Sequence, residues 1–95
     1  PNSLSFISSN TTEIKIYPIP ANEYFTLLTH IESATNFKVD VYNLAGIFVQ
    51  SLYQQPISQG KHTLKFSTDN LNSGNYLLRI MEGKHVYVRK LFIYK

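Results

Sequence analysis

The side chains that could carry out chemistry are few in this sequence, and their spacing matches no catalytic motif. The three histidines, His30, His62 and His85, fall on three different predicted strands, and no two have the spacing of a metal-binding pair. The sequence contains no cysteine, which excludes a thiol nucleophile, a disulfide framework and a cysteine-based zinc site. We therefore expect surface or strand-end histidines and no metal site.

The carboxylates, hydroxyls and glycines are equally dispersed. No two carboxylates share a motif, so nothing indicates the paired acids of a glycosidase. No serine lies in a strand–turn–helix elbow, and the four glycines are too far apart to form a phosphate-binding loop. The sequence thus predicts a protein that is not an enzyme and that needs no cofactor. The six carboxylates are Glu13, Glu23, Glu32, Asp40, Asp69 and Glu82.

The net charge of +3 is compatible with a nucleic-acid partner, but the distribution of the charges argues against one. The cations are spread along the chain, and only Arg89, Lys90 and Lys95 gather, close to its end. A surface that follows a phosphate backbone is usually far more basic. The apolar runs are too short to span a membrane. Neither nucleic-acid binding nor a membrane span is expected.

The elements that must position these side chains are short β-strands. Residues 1–12 are rich in serine, threonine and asparagine, which is the composition of a flexible linker. From Glu13 onward, apolar residues alternate with polar ones between turn residues, and no segment keeps helical spacing beyond a turn. The pattern predicts a linker over 1–12 and one all-β domain over 13–95. A seven-stranded antiparallel immunoglobulin-like β-sandwich is the expected fold, with a small Greek-key barrel as the alternative.

Several turns and tyrosines can be placed on this pattern. Residues 43–46 predict a turn in which Gly46 takes the left-handed position, and residues 56–60 predict a loop. Four tyrosines fall at positions that could face outward and stack on sugars or bases. We prefer the simpler explanation that tyrosine favours strands and covers sheet surface. These four are Tyr42, Tyr53, Tyr87 and Tyr94.

Four spaced motifs are more specific than any of these features. They read YPIPA over residues 17–21, VYNLAG over 41–46, LNSGNYLLRI over 71–80 and RKLFIYK over 89–95. Their order and spacing resemble the C-terminal sorting domain of the type IX (Por) secretion system of Bacteroidetes. The resemblance covers residues 14–95, and although each motif alone is weak, four in this order are fairly specific. Two positions depart from the family pattern, with Ile19 where Asn is common and Asn43 where Asp is frequent.

Each motif also has a physical interpretation of its own. Pro18 and Pro20 fix φ and remove two backbone donors, so the first strand must leave its sheet there. Ala21 then suits a tight corner. Gly74 lets the backbone turn into the sixth strand, where Tyr76 can fill the core from the corner. All of these residues can be explained by architecture alone, in which case function lies in the assembled surface.

The resemblance implies a non-enzymatic address tag on a secreted cargo protein. In this family a signal peptide takes the cargo to the periplasm, and the folded domain then directs it through the outer membrane to the cell surface or the medium. A sortase-like protease usually removes the domain there, and the cargo is often attached to an anionic lipopolysaccharide. The cut would fall within residues 1–12. The implied partners are the secretion machinery, namely an outer-membrane shuttle protein and the sortase-like protease.

We expect the machinery to recognise a folded surface, with the last strand as its main contact. A C-terminal strand at a sheet edge offers unpaired backbone groups for strand addition, and the same edge could give a homodimer. Two other functions stay open: a carbohydrate-binding or adhesion module, and a structural spacer in a large surface protein. The expected recognition residues are Pro18, Pro20, Ala21, Gly74, Tyr76, Lys90, Leu91 and Lys95.

Overall fold

A computed structural model describes residues 13–95, which form seven β-strands. Three of the connections, β2–β3, β4–β5 and β5–β6, pass from one sheet to the other, and the longest of them, β5–β6, is called the crossover. The predicted linker, residues 1–12, lies outside the described residues. Within the described part of the chain, no helix is long and apolar enough to cross a membrane. The strands are β1 (Ile14–Tyr17), β2 (Tyr24–Ile31), β3 (Thr35–Asn43), β4 (Phe48–Ile57), β5 (Gly60–Ser67), β6 (Gly74–Glu82) and β7 (His85–Ile93).

The strands build two sheets that pack face to face. One sheet has the order β1-β2-β5 and the other has the order β4-β3-β6-β7, and all neighbouring strands are antiparallel. This arrangement confirms the predicted immunoglobulin-like sandwich. Because β4 and β7 flank the four-stranded sheet, the last strand lies at an edge, as expected.

The core lies between the sheets and follows from period-two alternation. In β2 the inward residues Phe25, Leu27 and Ile31 are fully buried, and in β7 Leu91 and Ile93 are. Aromatic rings meet across the two sheets, for example Tyr53 and Phe66 with centroids 6.4 Å apart. The buried apolar set is Ala21, Phe25, Leu27, Ile31, Phe37, Val39, Val41, Ile57, Phe66, Leu71, Leu78, Ile80, Leu91 and Ile93.

The fourth strand is longer than predicted. It continues through Pro56 to Ile57, so most of the predicted loop over 56–60 is in fact strand and only residues 58 and 59 connect it to β5. Proline is tolerated here because β4 is an edge strand and its missing N–H need not pair with a neighbour. The prediction treated proline as a strand terminator without knowing which strand would lie at an edge.

Two of the four tyrosines do not face outward. Tyr53 and Tyr87 are half-buried and pack against the core. Tyr53 turns inward because the register of β4 against β3 skips Leu52, a bulge that shifts the alternation by one residue. Tyr42 is half-buried beside Phe48, with ring centroids 5.8 Å apart, and Tyr94 is exposed.

Candidate recognition surface at one end of the sandwich

All four sequence motifs contribute to a single end of the sandwich: the whole of YPIPA, the Asn-Leu-Ala-Gly turn, the first part of LNSGNYLLRI and the end of RKLFIYK. At this end β1, β3, β5 and β7 finish, and β2, β4 and β6 begin. We call it the motif end, and it comprises residues 17–24, 43–49, 67–76 and 91–95. The topology thus brings together segments that lie far apart in the sequence, which supports the idea that they form one surface.

Ala21 connects the two sheets at the motif end. Strand β1 stops at Tyr17, before Pro18, as the two prolines predict. The chain then passes to the other sheet, where Ala21 forms a parallel bridge with Ile93. Its N–H donates to the carbonyl of Phe92 and its carbonyl accepts from the N–H of Tyr94, both at 2.8 Å. Ala21 is also fully buried. It therefore fills the corner, as predicted, and in addition pairs with β7 through its backbone.

The crossover between β5 and β6 is held by Thr68. Its N–H donates to the carbonyl of Glu23 at 3.0 Å, and its hydroxyl donates to the carbonyl of Asn22. Its own carbonyl accepts from the N–H of Leu71 at 2.9 Å and from Nζ of Lys95 at 2.7 Å. Leu71 is buried beneath the crossover.

Gly74 and Tyr76 take the positions expected of them at the start of β6. Gly74 has φ +152°, a conformation that side-chain-bearing residues rarely adopt, and a Cβ there would meet open space. Its requirement is therefore conformational rather than steric. Tyr76 packs its ring against the core and donates its hydroxyl to the carbonyl of Asn72 at 2.8 Å.

The three candidate residues of the last segment behave differently from one another. Lys90 is exposed on the outer face of the four-stranded sheet, whereas Leu91 is buried in the core opposite Tyr76. Lys95 donates its N–H to the hydroxyl of Ser73 at 2.9 Å. Lys90 therefore offers its side chain to a partner of the folded domain, whereas the exposed Lys95 also donates its Nζ to the carbonyl of Thr68. Leu91 supports the strand that carries them.

Exposed apolar side chains concentrate at the motif end, which sequence reasoning did not identify. Among the described residues, every exposed large apolar residue except Val86 and Val88 belongs to it. Apolar clustering of this kind marks interaction surfaces. In the sequence, the one indication of this surface is the absence of charged residues between Asp40 and Lys61, and only the fold shows where that stretch lies. The exposed set at the motif end is Tyr17, Ile19, Tyr24, Leu44, Ile47, Phe48, Val49, Phe92 and Tyr94.

Ionisable groups form no reactive arrangement in the described part of the molecule. No three His, Asp or Glu side chains come close enough together to hold a metal ion, over residues 13–95. His62 lies at the opposite end, with Nε2 2.8 Å from the carbonyl of Ser58. Nζ of Lys38 forms an ion pair with Oδ2 of Asp40 at 3.5 Å. The arrangement is suited to binding through shape and apolar contact.

A sandwich of this kind, with its motifs gathered at one end, belongs to the class of domains that act by presenting a folded surface. The family described as "Secretion system C-terminal sorting domain" matches residues 15–94, and the chain belongs to this family. Membership confirms the resemblance and supports a type IX secretion signal that interacts with that system and leads to export across the outer membrane. This is not an enzyme family. No curated protein matches the chain.

Proposed function

We propose that the motif end and the adjoining edge of β7 are what the type IX machinery recognises, through an outer-membrane shuttle protein that accepts the domain in the periplasm. The observation that carries this proposal is the convergence of the sequence motifs, with Ala21, Gly74, Tyr76 and Lys95 within one polar and apolar network. Pro18 and Pro20 contribute by directing the chain from one sheet to the other. The domain carries no chemistry of its own in this mechanism.

The edge of β7 offers a limited set of backbone groups for strand addition. Ala21 already pairs with Phe92 and Tyr94, so the free part of the edge lies before them. Because backbone direction alternates along a strand, the groups that face outward there are those of Val86, Val88 and Lys90. The carbonyl of Val88 already accepts from Nη1 of Arg89 at 3.0 Å. A partner strand that extends the sheet over these residues must therefore displace this guanidinium, with Lys90 beside it.

Removal of the domain completes the proposed function. A sortase-like protease at the cell surface would cut before β1, within residues 1–12, and release the folded domain from its cargo. The serine- and threonine-rich composition of that segment suits an exposed cleavage site. Mass spectrometry of the exported cargo would locate the new terminus, and a terminus outside this segment would contradict the proposal.

Export of a reporter tests the recognition surface. The 95-residue chain is fused behind a periplasmic reporter in a type IX-competent bacterium, and surface and periplasmic reporter are compared. Deleting residues 91–95 would also remove Leu91 and Ile93 from the core, so point variants are sharper. We expect Lys90→Ala with Lys95→Ala to retain the reporter in the periplasm.

The matched control is Lys61→Ala with Lys84→Ala, two exposed lysines at the opposite end of the sandwich. This pair has the same change in charge and should export normally. A fold check by thermal unfolding accompanies both pairs. Normal export of the Lys90/Lys95 pair, or equal loss in both pairs, would refute recognition at the motif end.

A second candidate function rests on the exposed tyrosines. Tyr17, Tyr24 and Tyr94 are all exposed at the motif end, and Nζ of Lys65 lies 4.1 Å from the ring centroid of Tyr24. Exposed aromatic rings can stack on sugar faces. A carbohydrate-binding module would bind a glycan array and lose that binding in Tyr24→Ala, with export unaffected.

A further inference from the structure

The hairpin between β3 and β4 places a group of exposed apolar side chains within the motif end, and the proposed contacts through Lys90, Lys95 and the edge of β7 assign these side chains no role. Leu44 and Ile47 are 64% and 62% exposed, and Phe48 and Val49 are 53% and 40% exposed. We call residues 44–49 the apolar tip. Its four large side chains face water within six residues, which is a dense apolar surface for a turn.

The surroundings of the apolar tip are uncharged along the chain. No charged residue occurs between Asp40 and Lys61, although the sequence as a whole is 16% charged. From residue 41 to the end of β4, the tip therefore has no charged neighbour along the chain that would have to be desolvated when it leaves water. Transfer of its side chains to an apolar medium is favoured by the area removed from water.

Three backbone donors of the tip are satisfied internally by one residue, Asn43. Oδ1 of Asn43 accepts from the N–H of Ala45 at 2.9 Å and from the N–H of Ile47 at 3.0 Å. The N–H of Gly46 donates to the carbonyl of Asn43 at 3.0 Å. Three successive donors thus already have acceptors. This matters because a lipid environment supplies no hydrogen-bond acceptors and penalises every unpaired donor.

Cations lie on the outer face of the four-stranded sheet, which continues from the apolar tip. Arg79 and Lys90 are exposed there, and Arg79 lines a shallow apolar depression of about 220 Å³ together with Gly46 of the tip. The outward carboxylate among the described strand residues of this sheet, Asp40, is buried, lies opposite Arg79 and pairs with Lys38. Because three cations, Lys38, Arg79 and Lys90, face one carboxylate, this face keeps a net positive charge.

We propose that the apolar tip inserts into the interfacial layer of an anionic lipid surface, with Arg79 and Lys90 against the head groups. Two observations favour lipid over a protein partner or a second copy. The tip needs no external acceptor for the three donors that Asn43 satisfies, and a second copy would bring like charges together across the shared face. Apolar insertion combined with cationic attraction is how peripheral domains hold anionic membranes.

A tryptophan probe tests insertion directly, because the sequence contains no tryptophan of its own. The 95-residue chain is prepared as Ile47→Trp and, as the matched control, Val86→Trp, at an exposed apolar position in the same sheet. With vesicles of phosphatidylglycerol and phosphatidylcholine, we expect a blue shift and protection from an aqueous quencher at position 47 only. Both effects should weaken as salt is added, because the electrostatic part is screened.

A second measurement uses no probe. In vesicle co-sedimentation, Leu44→Ser with Ile47→Ser should lower partitioning about tenfold, from the apolar area lost. Met81→Ser with Val86→Ser, two residues that face each other near the opposite end of the same sheet, should leave partitioning unchanged. Equal behaviour of the two pairs, equal binding to neutral phosphatidylcholine vesicles, or a blue shift that grows with protein concentration without lipid would each overturn the proposal. The last result would mean that the tip binds a second copy of the chain. The vesicle experiments contain no secretion machinery, so their outcome is independent of the export experiment.

Discussion

Nζ of Lys95 donates to the carbonyl of Thr68 at 2.7 Å, and this bond joins the last residue of the sequence to the crossover between the two sheets. Thr68 also binds the β1–β2 connection through its N–H and its hydroxyl. Hydrogen bonds thus hold together three segments of the motif end that lie far apart in the sequence: the β1–β2 connection, the crossover and the segment after β7. Their loss should loosen this end before the rest of the sandwich.

Two of the buried threonines, Thr68 and Thr29, should respond oppositely to the same substitution. Thr68→Val removes the hydroxyl that donates to the carbonyl of Asn22, so we expect a loss of about 1 kcal/mol. In Thr29→Val the hydroxyl removed is buried and has no hydrogen-bond partner among the described residues, so we expect a gain of about 1 kcal/mol. Urea unfolding of both variants measures the two signs. Destabilisation by Thr29→Val would show that its hydroxyl has a partner.

The turn glycines should differ in how well they accept a side chain. Gly46 (φ +83°) and Gly83 (φ +60°) both occupy the left-handed region, so alanine should cost about 1–2 kcal/mol at each. A Cβ at Gly46 meets nothing within 4 Å, whereas at Gly83 it would lie 2.8 Å from Oγ1 of Thr35. We therefore expect Gly83→Ala to have the lower melting temperature.

A double-mutant cycle isolates the steric part of that difference. Thr35→Ala removes Oγ1, so Gly83→Ala should cost less in the Thr35→Ala background than in the parent chain. The backbone cost at positive φ should remain. If the cost of Gly83→Ala is the same in both backgrounds, the contact with Thr35 contributes nothing.

Asn43 should be replaceable by aspartate but not by alanine. Its Oδ1 accepts from two backbone donors of the apolar tip, and a carboxylate oxygen can do the same. Asn43→Ala should lower the free energy of unfolding by about 1 kcal/mol, in line with the loss of comparable capping bonds. Asn43→Asp should stay close to the parent value. Thermal unfolding separates the two, and a large loss in Asn43→Asp would contradict this account of the turn.

The fold could be predicted from the sequence because most strands are half-buried and alternate cleanly. His62, Leu64 and Phe66 face inward in β5 as their spacing indicates, and Leu78 and Ile80 do so in β6. Prediction failed where the alternation is broken or ambiguous. The bulge at Leu52 changes the phase of β4, and whether a proline is tolerated depends on whether its strand has one neighbour or two.

The candidate site was harder to predict because it depends on long-range contacts. The motifs identified Ala21 and Gly74, but neither composition nor spacing shows that Ala21 pairs with β7. The motif also treats Lys90 and Leu91 alike, whereas the structure exposes Lys90 and buries Leu91. The exposure of Leu44 and Ile47 was missed because short apolar runs usually indicate core, and only the position of the turn outside the sandwich places them in water.

Self-association through the edge of β7 should be controlled by Arg89. Its Nη1 donates to the carbonyl of Val88 at 3.0 Å, and Val88 is one of the residues whose backbone faces outward from the edge. The guanidinium thus occupies an acceptor that a second strand would need, and charged side chains at edges generally oppose pairing. Arg89→Met keeps the aliphatic packing and frees this carbonyl. We expect it to tighten homodimerisation about tenfold, a value consistent with one regained hydrogen bond per protomer.

Light scattering over a concentration series measures the effect. Arg79→Met, an exposed arginine on the inner strand β6, is the control and should leave the mass unchanged. If Arg89→Met and the control have the same mass at every concentration, the edge does not pair in this way.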